Sequence, residues 1–255
     1  MKLRNLILFG AAAVVCLGAD MPYVGKWKMN IAQSDFGETT ITYQSLPGGE
    51  WQATSDGLSY KFKMDGKDVP DPFGETAAWK SVDATHWETV WKFQGKVMTT
   101  DTLNLGADGS TLTVTSKGAK PNGEAIDDMT VLRRVSGGPG LDGKWKFKNM
   151  KSSSPDIVEF VKTADGIAFK EPAYDLTCES KMDGKDFPCT GATLGPGWTS
   201  ASNPAGPRSL HVVVKKDAKL LYDMTYTVSE DGKTMTEIGG ALASGEKIKV
   251  VYDRQ

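Results

Sequence analysis

The side chains that most often perform catalysis are scarce in this chain. It contains two histidines, His86 and His211, and neither belongs to a Ser-His-Asp arrangement, a zinc-ligand spacing or a phosphate-binding loop. His211 is out of phase with the apolar residues Leu210 and Val212 of its own segment, which places it on the outer face of a strand. The sequence therefore predicts solvated histidines, no catalytic residue and no enzymatic activity.

A short acidic cluster, formed by Asp65, Asp68 and Asp71, raises the question of a calcium site. Its spacing lacks the alternate acidic ligands of an EF-hand loop, and an Asp-Gly turn accounts for Asp65 without a metal. A haem would need an axial histidine from a wall strand, and the closing strands contain none. We therefore expect no metal and no cofactor.

Residues 1–19 have the three regions of a secretory signal peptide. Lys2 and Arg4 precede an apolar run over 6–17, and small residues follow at 18 and 19. The run is too short to span a bilayer comfortably, so we expect cleavage, a secreted or periplasmic protein and no stable membrane insertion afterwards. A lipoprotein signal at Cys16 is the less favoured alternative, because Val15 stands where such a signal has a small residue.

Cleavage after residue 19 leaves an acidic chain. Two of the 30 basic side chains lie in the leader, so 28 remain against 32 acidic side chains, a net charge of −4. Binding to nucleic acid needs clustered Lys and Arg that neutralise phosphates. Nucleic acid is therefore excluded as a partner, and the sequence identifies no protein partner.

Two cysteines, Cys178 and Cys189, remain after the leader, and an oxidising compartment would allow them to pair. They flank Asp183-Gly184, a strong signal for a two-residue hairpin turn. In such a hairpin, residues whose numbers add to 367 lie opposite each other, as 178 and 189 do. Opposed residues are close enough for a disulfide. The sequence favours this disulfide over the alternative, two buried free thiols.

Two sequence landmarks each occur twice at the same spacing. Gly-Lys-Trp-Lys stands at 25–28 and at 143–146, and Lys-Met-Asp-Gly-Lys-Asp stands at 63–68 and at 181–186, an offset of 118 in both cases. The matched offset predicts a duplicated domain of ordinary size. We expect one unit over 20–135, a Ser-Gly-Gly-Pro-Gly linker at 136–140 and a second unit over 141–255.

Both units read as all-β. Short segments alternate apolar and polar residues, and Asp-Gly and Gly-rich turns separate them, with no long helical pattern. The spacing predicts about ten short antiparallel strands in each unit, arranged as two tandem up-and-down β-barrels. The pattern lapses over 191–207, where Gly, Pro and Ser dominate and a mobile loop is expected.

The Gly-x-Trp of the first strand resembles the lipocalin or calycin signature. More closely, both units resemble a family of secreted bacterial lipocalin-like domains. Their pattern is Gly-x-Trp-Lys-x-Asn, a Tyr/Met-Asp-Gly-Lys-Asp-x-Pro hairpin and a late Asp-Gly-Lys-Thr-x-Thr. The chain carries these segments at 25–30, 64–70, 108–113 and 231–236, with Ser110 where the late segment has Lys and Lys148 where the second Asn would be. The resemblance implies a barrel fold, and the family has no established activity.

The resemblance also implies a structural role for five residues. In lipocalins, an Arg near the last strand stacks on the Trp of the signature and closes one end of the barrel through a cation–π contact. Carried over to this chain, the implied tryptophans are Trp27 and Trp145. The implied arginines are Arg133 or Arg134 in the first unit and Arg254 in the second.

Large aromatic residues are concentrated on the predicted inner face of the first unit. The candidate ligand-binding residues are Tyr43, Tyr60, Phe62, Trp79, Trp87 and Trp91. Such rings can line a pocket for a flat or acyl ligand, or they can simply fill a small barrel. The second unit has Cys178, Ser180 and Val214 in place of three of these rings, which predicts a supporting rather than a binding role.

The function that these features favour is the binding of a small apolar or aromatic ligand in the first barrel by a secreted, non-enzymatic protein. One alternative is an envelope structural or protein-interaction module with solid barrel interiors. A less favoured alternative is a lipid-modifying enzyme of the calycin type. That enzyme would need a titratable group on the inner face, and the predicted inner face contains almost none.

Overall fold

The computed structural model describes residues 21–255 except 38, 192–193, 242–244 and 246. The predicted signal peptide, 1–19, with its Cys16 lies outside the described residues. The described chain forms twenty β-strands and three short 3-10 helices, and the strands make two ten-stranded antiparallel sheets. The predicted all-β fold class is confirmed. None of the described helices is long and apolar enough to cross a membrane.

The strands are numbered in chain order, and β1 spans Gly25–Met29. The first barrel is a nearly closed sheet of β2 (Thr40–Ser45), β3 (Glu50–Ser55), β4 (Leu58–Lys63), β5 (Asp65–Pro70), β6 (Thr76–Ser81), β7 (His86–Phe93), β8 (Lys96–Leu105), β9 (Thr111–Ala119), β10 (Ala125–Ser136) and β11 (Gly143–Lys151). The second barrel is closed and combines β1 with β12 (Ile157–Lys162), β13 (Ile167–Glu171), β14 (Leu176–Ser180), β15 (Phe187–Thr190), β16 (Trp198–Gly206), β17 (Ser209–Lys216), β18 (Lys219–Val228), β19 (Thr234–Ala241) and β20 (Ile248–Arg254).

The two barrels exchange their first strands. β1 lies between β12 and β20 of the second barrel, where Trp27 is opposite Val158 on one side and Arg254 on the other. Its counterpart β11 lies between β2 and β10 of the first barrel. The predicted boundaries, 20–135 and 141–255, therefore do not coincide with the barrels, because each predicted unit contains one strand of the other barrel.

The predicted linker at 136–140 is part of a hairpin within the first barrel. It connects β10 directly to β11, and Gly137 approaches Gly143 so closely that a Cβ on Gly137 would lie 2.2 Å from the Gly143 Cα. Only glycine permits that approach, with a φ of 121° at Gly137. The chain passes between the barrels elsewhere, after β1 and again after β11.

An arginine stacks on a tryptophan at one end of each barrel, as the resemblance implied. Arg254 lies 4.1 Å from the ring of Trp27, and Arg134 lies 4.1 Å from the ring of Trp145. Both tryptophans are fully buried, and their indole N–H groups donate to backbone carbonyls at 2.8 and 2.9 Å. The partners are exchanged relative to the predicted units because β1 and β11 are exchanged. Arg133 is exposed and does not take the stacking role.

The barrels differ at one pair of strands, β14 and β15 in the second barrel and β4 and β5 in the first, which we call the seam. In the second barrel, Cys178 lies opposite Cys189, and their disulfide joins β14 to β15, as the sum of 367 predicted. In the first barrel, β4 and β5 are the two ends of the sheet and do not pair with each other. The predicted Asp65-Gly66 hairpin is therefore wrong as a strand pairing. The chain turns there, with the Lys67 N–H donating to the Asp65 carboxylate at 3.1 Å, but the flanking strands diverge.

Candidate functional site

The predicted aromatic residues of the first barrel pack mainly against one another. The ring of Phe62 stacks on Trp79 at 4.5 Å, and Tyr43 meets Trp79 edge-on at 5.5 Å. The Trp79 indole donates to the Tyr60 hydroxyl at 3.0 Å, and Tyr60 meets Trp91 at 6.2 Å. These contacts are those of a packed core, because ring pairs at 4.5–7 Å stabilise one another.

A cavity of about 340 Å³ remains in the first barrel. Four of the six predicted ligand-binding residues line it, namely Tyr43, Tyr60, Trp79 and Trp91. Phe62 and Trp87 do not line it, and both are buried in the core of the barrel. The structure thus brings the six residues into one cluster but leaves little space between them.

The larger cavity, about 710 Å³, lies in the second barrel, which the sequence assigned a supporting role. Its walls include Cys178 and Val214, two of the residues that stand where the first unit has large rings. Loss of ring volume is the physical reason for the cavity, since a small barrel is filled only as far as its inward side chains reach. The aromatic residues that the sequence suggested as ligand contacts mainly fill the interior of the first barrel.

Residues from both barrels form the mouth of this cavity. Asp56, Phe73 and Glu75 belong to the first barrel, Met29 belongs to β1 of the second barrel, and Phe36 lies in the segment between β1 and β2. Phe73 and Glu75 also line the smaller cavity, so the two barrels open toward each other across the loop that follows β5.

The wall of the larger cavity is predominantly apolar and aromatic. Phe73 stacks on Trp198 with 6.5 Å between ring centres. Trp198 is buried, and its indole N–H has no hydrogen-bond partner among the described residues. The second-barrel residues of the wall are Phe169, Glu171, Tyr174, Leu176, Cys178, Cys189, Leu194, Trp198, Ser200, Val212, Val214, Tyr222, Met224, Tyr226, Glu237, Gly240, Ala241, Ile248, Val250 and Tyr252.

Two carboxyl groups of the second barrel face this apolar space, and the sequence reasoning missed both. Glu237 is 7% exposed and accepts a hydrogen bond of 2.7 Å from the Tyr252 hydroxyl. It lies directly opposite Tyr226 in the β18–β19 ladder. Burial raises the pKa of Glu237, and the hydrogen bonds from Tyr252 and Tyr226 only partly offset that effect.

Glu171, at the end of β13, is the second carboxyl group. Burial, reinforced by the negative charges of Asp156 and Glu237, raises its pKa to about 7, against the opposing effect of the Lys120 charge. No hydrogen bond to its carboxylate is found among the described residues. At the mouth, Glu75 has a pKa that burial and the nearby carboxylates Asp71 and Asp101 raise to about 7.

One sequence signal could have indicated Glu237. It occupies an alternate position with Met235, which is fully buried, whereas Ile238 beside it is 53% exposed. The alternation of β19 therefore places the Glu237 carboxyl group inside the barrel and the Ile238 side chain outside, the reverse of what their polarity suggests. Taking Met235 rather than Ile238 as the inward residue assigns both side chains to the correct face of the strand.

The two histidines lie away from both cavities. His86 contacts the Asp83 carboxylate at 2.8 Å, and His211 contacts the Asp223 carboxylate at 2.8 Å. In the part of the chain that the structure describes, no group of three or more His, Cys, Asp or Glu side chains could hold a metal ion.

Comparison with known proteins gives no relative. No protein-family model, curated protein or solved structure matches the chain.

Proposed function

We propose that this protein is an extracytoplasmic, lipocalin-like binding protein that takes up a small, largely apolar ligand in the second barrel. The observation that carries the proposal is the cavity of about 710 Å³, which is lined mainly by aromatic and aliphatic side chains. Ligand pockets in proteins have volumes of about 300–1,000 Å³ and walls of this composition. The Cys178–Cys189 disulfide supports the location, since disulfides persist in oxidising compartments.

The site proposed here differs in place from the one that the sequence favoured. Tyr43, Tyr60, Trp79 and Trp91 remain in the proposal as the walls of a smaller cavity that opens toward the same mouth. That cavity, about 340 Å³, is at the lower end of the range for ligand pockets. The second barrel, with about twice the free volume, is the better site.

The two alternative functions fit the second barrel less well. A module with solid interiors matches the packed rings of the first barrel but not the larger cavity. A calycin-type enzyme would find a titratable group in Glu171 or Glu237. However, no described side chain hydrogen-bonds the Glu171 carboxylate, and Glu237 already accepts the Tyr252 hydroxyl. A binding role needs only the cavity.

The proposal is tested by filling the cavity. Val214 lines it, and Val214→Trp would add a ring to the free space, as rings do in the first barrel. We expect the wild-type protein to bind N-phenyl-1-naphthylamine, a neutral aromatic probe, with a saturable rise in its fluorescence. Val214→Trp should lower that affinity about tenfold or more, because the ring occupies volume that the probe needs.

The matched control is Val213→Trp, one residue earlier on β17, which does not line the cavity because successive side chains of a strand point to opposite faces. It should bind the probe as the wild type does. Circular dichroism and thermal unfolding verify that both variants are folded. Absence of saturable binding by the wild type, or equal binding by Val214→Trp, would refute the proposal.

A further inference from the structure

Charge is distributed unevenly over the wall of the larger cavity. Four carboxyl groups line it, those of Asp56, Glu75, Glu171 and Glu237, and no Lys, Arg or His is found among the described lining residues. A neutral apolar ligand would leave the two deeper groups, Glu171 and Glu237, in an apolar space whose wall contains no cationic side chain among the described residues. Buried carboxylates are normally paired or coordinate a cation, since an unpaired buried charge is costly.

Two lysines lie behind this wall, Lys120 over the ring of Tyr174 at 5.8 Å and Lys216 over the ring of Trp198 at 5.1 Å, but each is held by other groups. The Lys120 charge opposes the effect of burial on the pKa of Glu171 only in part. The Lys120 ammonium donates to the Ser154 carbonyl at 2.7 Å and contacts Asp156 at 2.8 Å. Lys216 donates to the Pro196 carbonyl at 3.2 Å. Both ammonium groups therefore have partners, and neither residue is part of the cavity wall.

Aromatic rings stand beside the two deep carboxyl groups. Phe169 precedes Glu171 by two residues on β13, so both side chains lie on the inner face. Tyr226 is the cross-strand neighbour of Glu237. The rings of Phe169 and Tyr226 meet with 6.4 Å between their centres, although β13 and β18 are five strands apart in the ten-stranded barrel. Rings from opposite walls thus meet, and each of the two rings is a neighbour of one carboxyl group along or across its strand.

Building on the proposed binding function, we infer that the ligand of the second barrel is an organic cation, with an ammonium group held by Glu171 and Glu237 and an apolar body against the aromatic wall. An ammonium group gains both from an adjacent carboxylate and from the face of an aromatic ring. A metal ion fits less well, because the described residues contain no metal-binding group of three or more such side chains.

The two carboxyl groups have different roles in this site. Glu237 is already held by the Tyr252 hydroxyl at 2.7 Å, which fixes its position in the wall. Glu171 lines the cavity and has no hydrogen-bond donor among the described residues, so its oxygens are free to accept from an ammonium group. Glu171 is therefore the principal contact and Glu237 the supporting one.

Three probes that share a 4-(1-naphthyl)butyl body and differ in the head group provide the test. One carries an ammonium, one a hydroxyl and one a carboxylate, and binding is measured by calorimetry at pH 8, above the pKa of about 7 of Glu171. We expect the ammonium probe to bind about tenfold or more tightly than the alcohol, as a charge-assisted hydrogen bond allows, and the carboxylate probe to bind weakest.

Matched variants assign the effect to the residues. Glu171→Gln should remove most of the preference for ammonium over alcohol without changing the affinity for the alcohol, and Glu237→Gln should reduce the preference less. Glu179→Gln, an exposed position on the neighbouring strand β14, should behave as the wild type.

The outcomes separate the inference from the proposed function. Equal binding of the ammonium and alcohol probes, or tightest binding of the carboxylate probe, overturns the cationic ligand and leaves the binding function standing. An ammonium preference that persists in both Glu171→Gln and Glu237→Gln also overturns the assignment. Binding of none of the three probes overturns the proposed function and the inference together.

Discussion

Ionisation of Glu171 destabilises the folded protein, so its free energy of unfolding depends on pH. Its pKa is about 7 in the folded protein and near 4.5 in the unfolded chain, so the folded state holds the proton more tightly. Stability should therefore fall as pH rises from about 4.5 to about 7 and then level off. We expect Glu171→Gln to exceed the wild type at pH 8 by about 1–3 kcal/mol in the free energy of unfolding and to match it near pH 4.5.

Urea unfolding of the ligand-free proteins at the two pH values measures this difference. Glu179→Gln is the control, because its side chain is exposed. A Glu171→Gln difference of the same size at both pH values would show that the carboxyl group is not the source of the pH dependence.

At the scale of residues, the sequence predicted which kinds of side chain interact better than it predicted the positions of those side chains. The stacking of arginine on Trp27 and Trp145 was implied, yet the choice between Arg133 and Arg134 was open. Arg134 is on the inner side because it is paired with Trp145 in the β10–β11 ladder. The buried carboxyl groups were missed because polarity alone assigns Glu to solvent, and only the phase of the strand shows otherwise.

The strands β14 and β15 are held together by few interactions apart from the disulfide. Their ladder has two residue pairs, one of which is Cys178 with Cys189, and β15 pairs with β16 at only two positions. Replacing both cysteines with serine should lower the free energy of unfolding by about 2–3 kcal/mol, the value for a loop of this length. The seam should then loosen locally.

Hydrogen–deuterium exchange distinguishes local loosening from general destabilisation. Under native conditions, the Cys178→Ser/Cys189→Ser variant should exchange faster in β14 and β15, while the amides of the first barrel keep the wild-type rate. Serine is close to cysteine in size, so the substitutions leave no large cavity. A uniform increase in the exchange rate through both barrels would contradict the prediction that the seam between β14 and β15 is the weak element.

At the scale of elements, the disulfide register was predictable, because a hairpin fixes which residues oppose each other. The strand β16 was not, and the loop expected over 191–207 is wrong from Trp198 onward. Its inward positions include Ser200 and Ser202, which are buried. The Ser202 hydroxyl bonds to that of Ser180 at 2.8 Å. Small hydroxyl residues satisfied by each other leave no hydrophobic pattern in the sequence.

At the scale of the whole molecule, the exchange of β1 and β11 could not be seen in the sequence. The two strands begin with the same Gly-Lys-Trp-Lys, so each would suit either barrel. Chain connectivity decides between the arrangements. The short loop over 137–142 folds β11 back onto β10, and closing a short hairpin costs less entropy than a distant pairing. With that place taken, β1 completes the second barrel.

Engineered cysteines distinguish the exchanged arrangement from two independent barrels. Lys26 lies opposite Glu159 across β1 and β12, with an ion pair of 3.1 Å, so Lys26→Cys/Glu159→Cys should form an intramolecular disulfide. Thr42 lies opposite Lys144, which has the place that Lys26 would take without exchange. Thr42→Cys/Lys144→Cys should therefore cross-link, and Lys26→Cys/Thr42→Cys should not. Mass spectrometry of the digested, unreduced monomer identifies each bond.

Cross-linking of the Lys26–Thr42 pair within a monomer would mean that each barrel keeps its own first strand. In that case the chain between the barrels would be the linker at 136–140, and the mouth formed by Met29 and Phe36 would have to be rebuilt.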